Sequence, residues 1–495
     1  MNRVIRITLT VALAISVLGV GVVTGFFIEK RVSGKSLADL SIKIIGDVEE
    51  PGSIELDKKG LETIKTDDGR FTSVRLSNLL ARAVPLGERY QIYFIGDDGR
   101  TASITDEDIS SSYLIKTDKG SLDAKNPKHP VSTNIKDVKE ILVVSKDEDL
   151  SAGFNVISPD ENIHNITPGE AYLSRKTSFE FGGASVMEEG QAINKGWVYE
   201  EKTILDLEGL IGFVPEGPYI FMGREGGYAF TYEIGSIEIA GNSFRLDGEG
   251  IEPIEDLAGM LIDPPSSSIM DVYYDTLEYT ADGQNVMVVL VDGFSFMQFE
   301  KALDSGLITF TDQSEFQERA VSVYKPITNS GLAAMITGQP PYINGIYSRD
   351  FRELEVPDIF EVLKSRGKSS VLIEGDIGII DTSIEPVLNT DTDNDGSKDD
   401  QIFESALKLI EDGYDMMFVH FHGLDDRGHD YGDTDPETLG YIEIIDGYIN
   451  DLASRWEGKI IITADHGMHN TGESGSHGEF RFEDLIVPYI VIEGK

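Results

Sequence analysis

No cysteine occurs anywhere in the 495 residues. Disulfides, thiolate metal ligands and a cysteine nucleophile are thereby excluded. Export without disulfides points to a prokaryotic cell surface rather than a eukaryotic secretory route. Basic residues are scarce as well: 42 Lys and Arg stand against 87 Asp and Glu, a formal net charge of −45. Such a surface repels polyanions and anionic headgroups, which counts against DNA or RNA binding through a basic patch. With 40% hydrophobic residues the rest of the composition is that of a globular protein. A chain of this length calls for about three domains rather than one core.

One long apolar run opens the sequence. Arg3 and Arg6 precede Ile7 to Phe27, a stretch of the length that crosses a bilayer, and Glu29, Lys30 and Arg31 close it. Gly19, Gly21 and Gly25 offer small residues but do not make an A-x-A-like cleavage box. The run therefore reads as an uncleaved single-pass transmembrane helix. Residues 1–35 are the anchor or signal with its linker, and the remainder lies outside the cytoplasm of a cell membrane. Basic residues on both sides leave the orientation unsettled by charge alone.

Two β-rich accessory modules follow, over 36–148 and 149–268. In the first, strand-like runs such as "YQIYFIGDDGR" and "KEILVVSK" flank one helical stretch, "VRLSNLLARA", with Val74, Leu76, Leu79 and Leu80 at helix spacing. The opening "GDVEEPGSIEL", the "SNLLARA" helix and the closing "HPVSTNIKDVKEILVV" resemble the sulfite-oxidase molybdopterin domain over about 110 residues. That family ligates molybdenum through a cysteine, so the resemblance implies a cofactor-free module here. In the second module Gly and Asp punctuate alternating segments as hairpin turns.

Residues 280–495 change character. Apolar strands such as "NVMVVLVD", "KSSVLIEGD", "MMFVHFHG" and "GKIIITADHG" alternate with amphipathic helices, the pattern of a doubly wound α/β sheet. Ligands in such sheets bind beyond the carboxyl ends of the strands. Asp292, Thr328, Asp425, His429, Asp465, His466 and His477 all stand there, and six of the eight histidines fall between 420 and 477. Aspartates and neutral imidazoles suit a hard-to-borderline divalent pair. Two such cations hold the attacking and leaving oxygens of an in-line displacement, and a coordinated threonine hydroxyl becomes nucleophilic. Thr328 at a helix start adds backbone N–H groups facing an anion. By itself, Thr328 reads equally as a helix cap.

The motif order "LVDG … PITNSGLAAMITG … HGLDDRGHDYG … TADHGM … GSHGE … VPYIV" resembles the alkaline phosphatase superfamily, in its nucleotide pyrophosphatase/phosphodiesterase and phosphonoacetate hydrolase branch. The resemblance covers about 215 residues. It implies that Asp425, His429 and His477 hold one metal and that Asp292, Asp465 and His466 hold the other, with Thr328 bridging as nucleophile. The phosphodiesterases place an asparagine three positions after the nucleophile. Gly331 stands there in this chain, which leaves Asn329 as the oxyanion donor.

Around this set, His422 reads as a substrate contact, His420 as a supporting or core residue, and His469 as solvated loop. In "DTDNDGSKDD", Asp391, Asp393, Asp395 and Asp399 have the spacing of a calcium loop, although the twelfth position is Ile402 rather than Glu. The alternative is an acidic loop ahead of a helix.

The expected activity is metal-dependent hydrolysis of a phosphate mono- or diester through threonine. Two divalent metals are implied, zinc by default with manganese or iron as alternatives, and calcium as a third. The substrate is a small-molecule, lipid or glycan phosphate ester. The competing readings are a transferase moving a phospho-headgroup at the same site, and a non-catalytic surface-binding protein.

Overall fold

The computed structural model describes residues 40–56, 61–66, 69–147, 153–181, 184–188, 191–196 and 198–495. The apolar run over 7–27 lies outside the described residues; among those described, no helix is long and apolar enough to cross a membrane. The chain forms two compact units. Among the described residues, one comprises those before Gly153 together with Thr167–Lys176 and Ile239–Asn242; the other comprises those within Gly153–Ile166, Thr177–Glu238 and Ser243–Lys495.

The first unit contains a five-stranded sheet in the order Gly52–Glu55, Ser41–Gly46, Val138–Ser145, Tyr90–Gly96, Thr101–Thr105. A four-stranded antiparallel sheet of Leu61–Thr66, Gly69–Arg75, Tyr113–Lys116 and Leu122–Lys125 accompanies it. The helix Leu76–Ala83 buries Leu76, Leu79, Leu80 and Ala83, the stripe expected at helix spacing. Val74, read from the sequence as part of that stripe, belongs to the preceding strand instead. Its backbone pairs with Leu61 on one side and Leu114 on the other, and a ladder on both sides holds it extended.

The second unit is built on an eight-stranded sheet. In chain order its strands are β1 (Ser267–Ser268), β2 (Val286–Val291), β3 (Ser314–Val321), β4 (Ser370–Glu374), β5 (Val387–Leu388), β6 (Met416–Phe421), β7 (Lys459–Thr463) and β8 (Ile486–Glu493). In space they run β1-β3-β8-β7-β2-β6-β4-β5. β7, β2, β6, β4 and β5 are parallel. β8 is antiparallel to both β7 and β3, so the sheet is mixed. Helices α1 (Phe296–Asp304), α2 (Thr328–Thr337), α3 (Asp399–Ile410), α4 (Gly423–Tyr431) and α5 (Pro436–Ala453) connect the strands.

Every residue of β2, β6 and β7 is buried. Strands buried on both faces read as continuous apolar runs, and each such side chain contributes about 1.5–3 kcal/mol by leaving water. A second sheet in this unit, containing Phe154–Ile157, Leu257–Ile262 and Tyr219–Gly223, sends Ile157, Ile220, Met222 and Leu261 into the same core. The consequence for the site is one of register. β2 lies between β6 and β7, with Val291 opposite Phe421 and Leu290 opposite Thr463. The residues that follow these three strands therefore emerge side by side.

Candidate metal centre

Asp292 leaves β2, Asp425 and His429 sit four residues apart on α4, Asp465 and His466 leave β7, and His477 follows the short strand Gly475–Ser476. The approach of α4 to β2 depends on Gly293. Its φ is +71°, and a Cβ there would stand 2.7 Å from Asp425 Oδ1. Only glycine combines that backbone with that contact.

The side chains of the sequence-derived set converge. His466 Nε2 is 3.3 Å from Asp292 Oδ1 and 3.5 Å from Asp465 Oδ2. His429 Nε2 is 3.3 Å from one oxygen of Asp425, and His477 Nε2 is 3.8 Å from the other. The ligand atoms of Asp292, Asp465 and His466 lie within 4.8 Å of one another, as do those of Asp425, His466 and His477.

Each imidazole is turned the same way. Nδ1–H of His466 donates to the Gly467 carbonyl at 2.9 Å, that of His429 to Gly475 at 3.2 Å, and that of His477 to Pro326 at 3.0 Å. Holding Nδ1–H on a backbone carbonyl selects the tautomer with a lone pair on Nε2, the arrangement of metal-ligating histidines. Among the described residues, buried Asp292 Oδ1, Asp425 Oδ1 and Asp465 Oδ2 find no hydrogen-bond donor. Such atoms are costly to leave unsatisfied, so the donor set fits divalent cations. Without them the charges strain one another: burial, then the neighbouring Asp292, push the Asp465 carboxyl up to about 7. Burial works against the His466 imidazolium, but Asp465 and Asp292 raise it to about 10.

Thr328 opens α2 as its first helical residue. The N-cap is Ile327 and no side chain caps the helix, so the cap role open to Thr328 in the sequence is not the one it takes. Its hydroxyl lies 3.5 Å from His466 Nε2. Asn329 points its amide to the Phe351 carbonyl at 3.3 Å. Gly331 has a steric reason: a Cβ there would meet the Asp465 carbonyl oxygen at 2.5 Å and its Cβ at 2.6 Å. The asparagine of the phosphodiesterases has no room. Gly331→Ala is expected to destabilise the fold by about 1–3 kcal/mol and, by displacing Asp465, to weaken the uptake of any divalent cation this donor set takes. Thermal melts and a zinc titration check both effects.

Other sequence readings meet different fates. Asp391, Asp393 and Asp395 do gather, largely exposed. Asp399 does not join them: fully buried, it accepts from the backbone N–H groups of His422 (2.8 Å) and Gly423 (2.9 Å) and from the Tyr441 hydroxyl. It anchors the start of α4 instead. His469 is not solvated loop. It is buried, and its Nδ1 donates to Asp484 at 2.7 Å, pinning the segment that carries His477. His420 and His422 both lie against Asp292, at 3.5 Å each. Glu374, at the end of β4, contacts both rings. The sequence reading passed over it, although it stands at a strand end like the others.

A cavity of about 440 Å³ opens on this centre, lined by Lys325, Ile327, Ser348, Arg349, His429, Ser476 and His477. The Arg349 guanidinium donates to His477 Nε2 at 3.3 Å.

Residues 365–488 match the family model for type I phosphodiesterase / nucleotide pyrophosphatase. That segment contains Asp425, His429, Asp465, His466 and His477. Among curated proteins, the catalytic subunit of human GPI ethanolamine phosphate transferase 3 is 29% identical over 94 residues, 18% of this chain and 9% of that protein. GPI ethanolamine phosphate transferase 1 of Neurospora crassa is 34% identical over 83 residues, 15% of this chain and 8% of that protein. The match thus spans less than a tenth of these relatives' length.

Among solved structures, phosphonoacetate hydrolase from Sinorhizobium meliloti 1021 is 20% identical, with 37% of this chain and 56% of that chain covered and a TM-score of 0.32. Murine ectonucleotide pyrophosphatase / phosphodiesterase 5 is 21% identical, with 38% and 58% covered and a TM-score of 0.30.

Proposed function

We propose that this chain is a divalent-metal-dependent hydrolase of phosphate esters in which Thr328 is the nucleophile. The observation that carries the reading is the convergence of three aspartates and three histidines at the strand ends, each histidine holding its Nε2 toward a carboxylate, with the Thr328 hydroxyl 3.5 Å from His466 Nε2. Asp292, Asp465 and His466 would hold one cation, and Asp425, His429 and His477 the other. When bound, the cations neutralise phosphoryl oxygens and lower the pKa of a coordinated hydroxyl.

The protein's own groups do the rest. The Thr328 oxygen would form the bond to phosphorus as the P–O bond to the ester oxygen breaks, the hydroxyl proton passing to solvent and the leaving alkoxide taking one up. Water would then cleave the phosphothreonine, releasing the phosphate product and restoring the hydroxyl. The first N–H groups of α2 are free to donate to the phosphoryl group. Zinc-loaded protein should release p-nitrophenol from a p-nitrophenyl phosphate mono- or diester, and a substrate panel extended to phosphonates ranks the classes. No turnover of any of them with defined metals would sink the reading.

In a chain this acidic, Lys325 and Arg349, which line the cavity, favour a substrate with a second anionic or electron-rich group beside the scissile bond. Arg349 holds the lone pair of His477 that a cation would take, so metal binding frees it for substrate. Lys325→Ala and Arg349→Ala are each expected to raise KM about tenfold, or roughly 1.4 kcal/mol, with a smaller change in kcat. Steady-state kinetics on charged and neutral esters check this.

The transferase alternative is favoured by the likeness to proteins named as ethanolamine phosphate transferases. Product analysis with an alcohol acceptor separates the two. Phosphorylated alcohol in excess of the solvolysis ratio supports transfer, and water-derived product alone supports hydrolysis.

A further inference from the structure

Asp399 is a fully buried acid that no step of the proposed chemistry uses. It is the first residue of α3, yet its carboxylate turns to α4, 24 residues further along the chain. Oδ1 accepts from the backbone N–H of His422 at 2.8 Å, and Oδ2 from that of Gly423 at 2.9 Å. The Tyr441 hydroxyl, from α5, donates to Oδ2 at 3.1 Å. Ser397 braces this contact from both sides. Its hydroxyl is 2.7 Å from the Tyr441 oxygen and accepts from the Asp399 N–H at 3.2 Å.

The first N–H groups of an α-helix have no partner within it and need an acceptor from outside. α4 gets none from its own N-cap, since the His422 side chain makes no capping bond. Asp399 caps it from a neighbouring helix. The far end of α4 is fixed separately, by the Thr438 hydroxyl of α5 donating to the Gly432 carbonyl at 2.7 Å.

What α4 carries gives the cap a consequence at the metal centre. Asp425 is its third residue and His429 its seventh, four apart and so on one face. With the far end held, loss of the cap pivots the helix about Gly432. At 1.5 Å per residue Asp425 lies about 10 Å from that pivot, so a tilt of about 5° carries it roughly 0.9 Å. Metal–ligand distances hold to about 0.2 Å. Asp292, Asp465 and His466 leave β2 and β7 instead, and among the described residues no hydrogen bond of Asp399 goes to either strand.

We infer that Asp399 is a positioning residue for the cation site of Asp425, His429 and His477, acting through the direction of α4 and not through contact with the ion. The inference rests on the two-metal reading proposed above, and adds that the two sites are aligned by separate parts of the fold.

The test is a calorimetric zinc titration of the metal-free full chain, with thermal melts alongside. His429→Gln removes a proposed ligand of one site only and identifies that site's step. Asp399→Asn keeps the volume but leaves one acceptor oxygen for two N–H groups. It is expected to raise the dissociation constant of the same step about 10–100-fold, the scale for groups that orient metal ligands, and to leave the other step unchanged. Turnover should return at saturating zinc. A role in folding alone lowers the melting temperature without separating the two steps. In a folded variant, equal weakening of both steps or of neither overturns the inference and leaves the metal reading standing. Native protein that takes up fewer than two zinc ions overturns both. Should Asp399→Asn not fold, Tyr441→Phe decides in its place, because it removes the hydroxyl that orients the carboxylate. A smaller loss at the same single step is expected, and loss at both steps or at neither overturns the inference.

Discussion

Thr328→Ala is expected to lower turnover of a p-nitrophenyl phosphodiester by about 10³-fold or more, the scale on which losing an enzyme's nucleophile is felt. Metal content and melting temperature should stay as in the native chain. The second half of that expectation distinguishes chemistry from structure. Thr328 is the first residue of α2, but it does not cap it. Among the described residues its hydroxyl has one polar neighbour, His466 Nε2 at 3.5 Å, a weak contact. Removing it leaves no buried group newly unsatisfied, so stability should move by no more than about 0.5 kcal/mol. Thr328→Ser keeps the hydroxyl and should retain most of the activity. Undiminished turnover in Thr328→Ala would falsify the nucleophile assignment without touching the metal assignment.

Asp465→Asn should act in the opposite pattern, abolishing activity while leaving the metal-free protein as stable as before or more so. Asp465 is fully buried beside Asp292, with one oxygen lacking a donor. Burial and that neighbour raise its folded-state pKa to about 7, above the unfolded value. A raised carboxyl pKa stabilises the fold at low pH, and that stability is lost as pH rises toward 7. At pH 8 the metal-free native chain therefore folds against the cost of ionising Asp465, and the asparagine removes it. The asparagine also gives up the attraction that raises His466, so the net gain is expected to fall below the roughly 1–3 kcal/mol of an uncompensated buried polar group.

Zinc reverses the comparison. Native protein should gain about 2.7 kcal/mol at a hundredfold excess of free ion over its dissociation constant. The variant should gain much less. Paired thermal melts with and without zinc read both effects. A metal-free variant clearly less stable than the native chain would mean that Asp465 is held by a partner other than a cation.

The α/β region was legible because its strands are buried on both faces. "VMVVLV", "MMFVHF" and "KIIIT" announce themselves as continuous apolar runs, and the rule that chemistry sits just beyond strand ends then picks out Asp292, Asp465 and His466. The same rule reaches Glu374, whose partners 46 and 48 residues away are invisible to local reading. Asp399 failed for the converse reason. Its spacing within an acidic run invited a calcium loop, but α3 begins at that residue and turns the carboxylate inward onto α4.

From the sequence alone came the residue types, their order along the chain and their position at strand ends, because hydrophobic periodicity and ligand chemistry are local properties. Which nitrogen of each histidine faces a carboxylate was decided only by tertiary structure. So was the capacity of Asp292 to serve two neighbours at once, and so was the lack of room for any side chain at position 331. These depend on the register of β2 between β6 and β7 and on α2 packing against Asp465, contacts between segments more than a hundred residues apart.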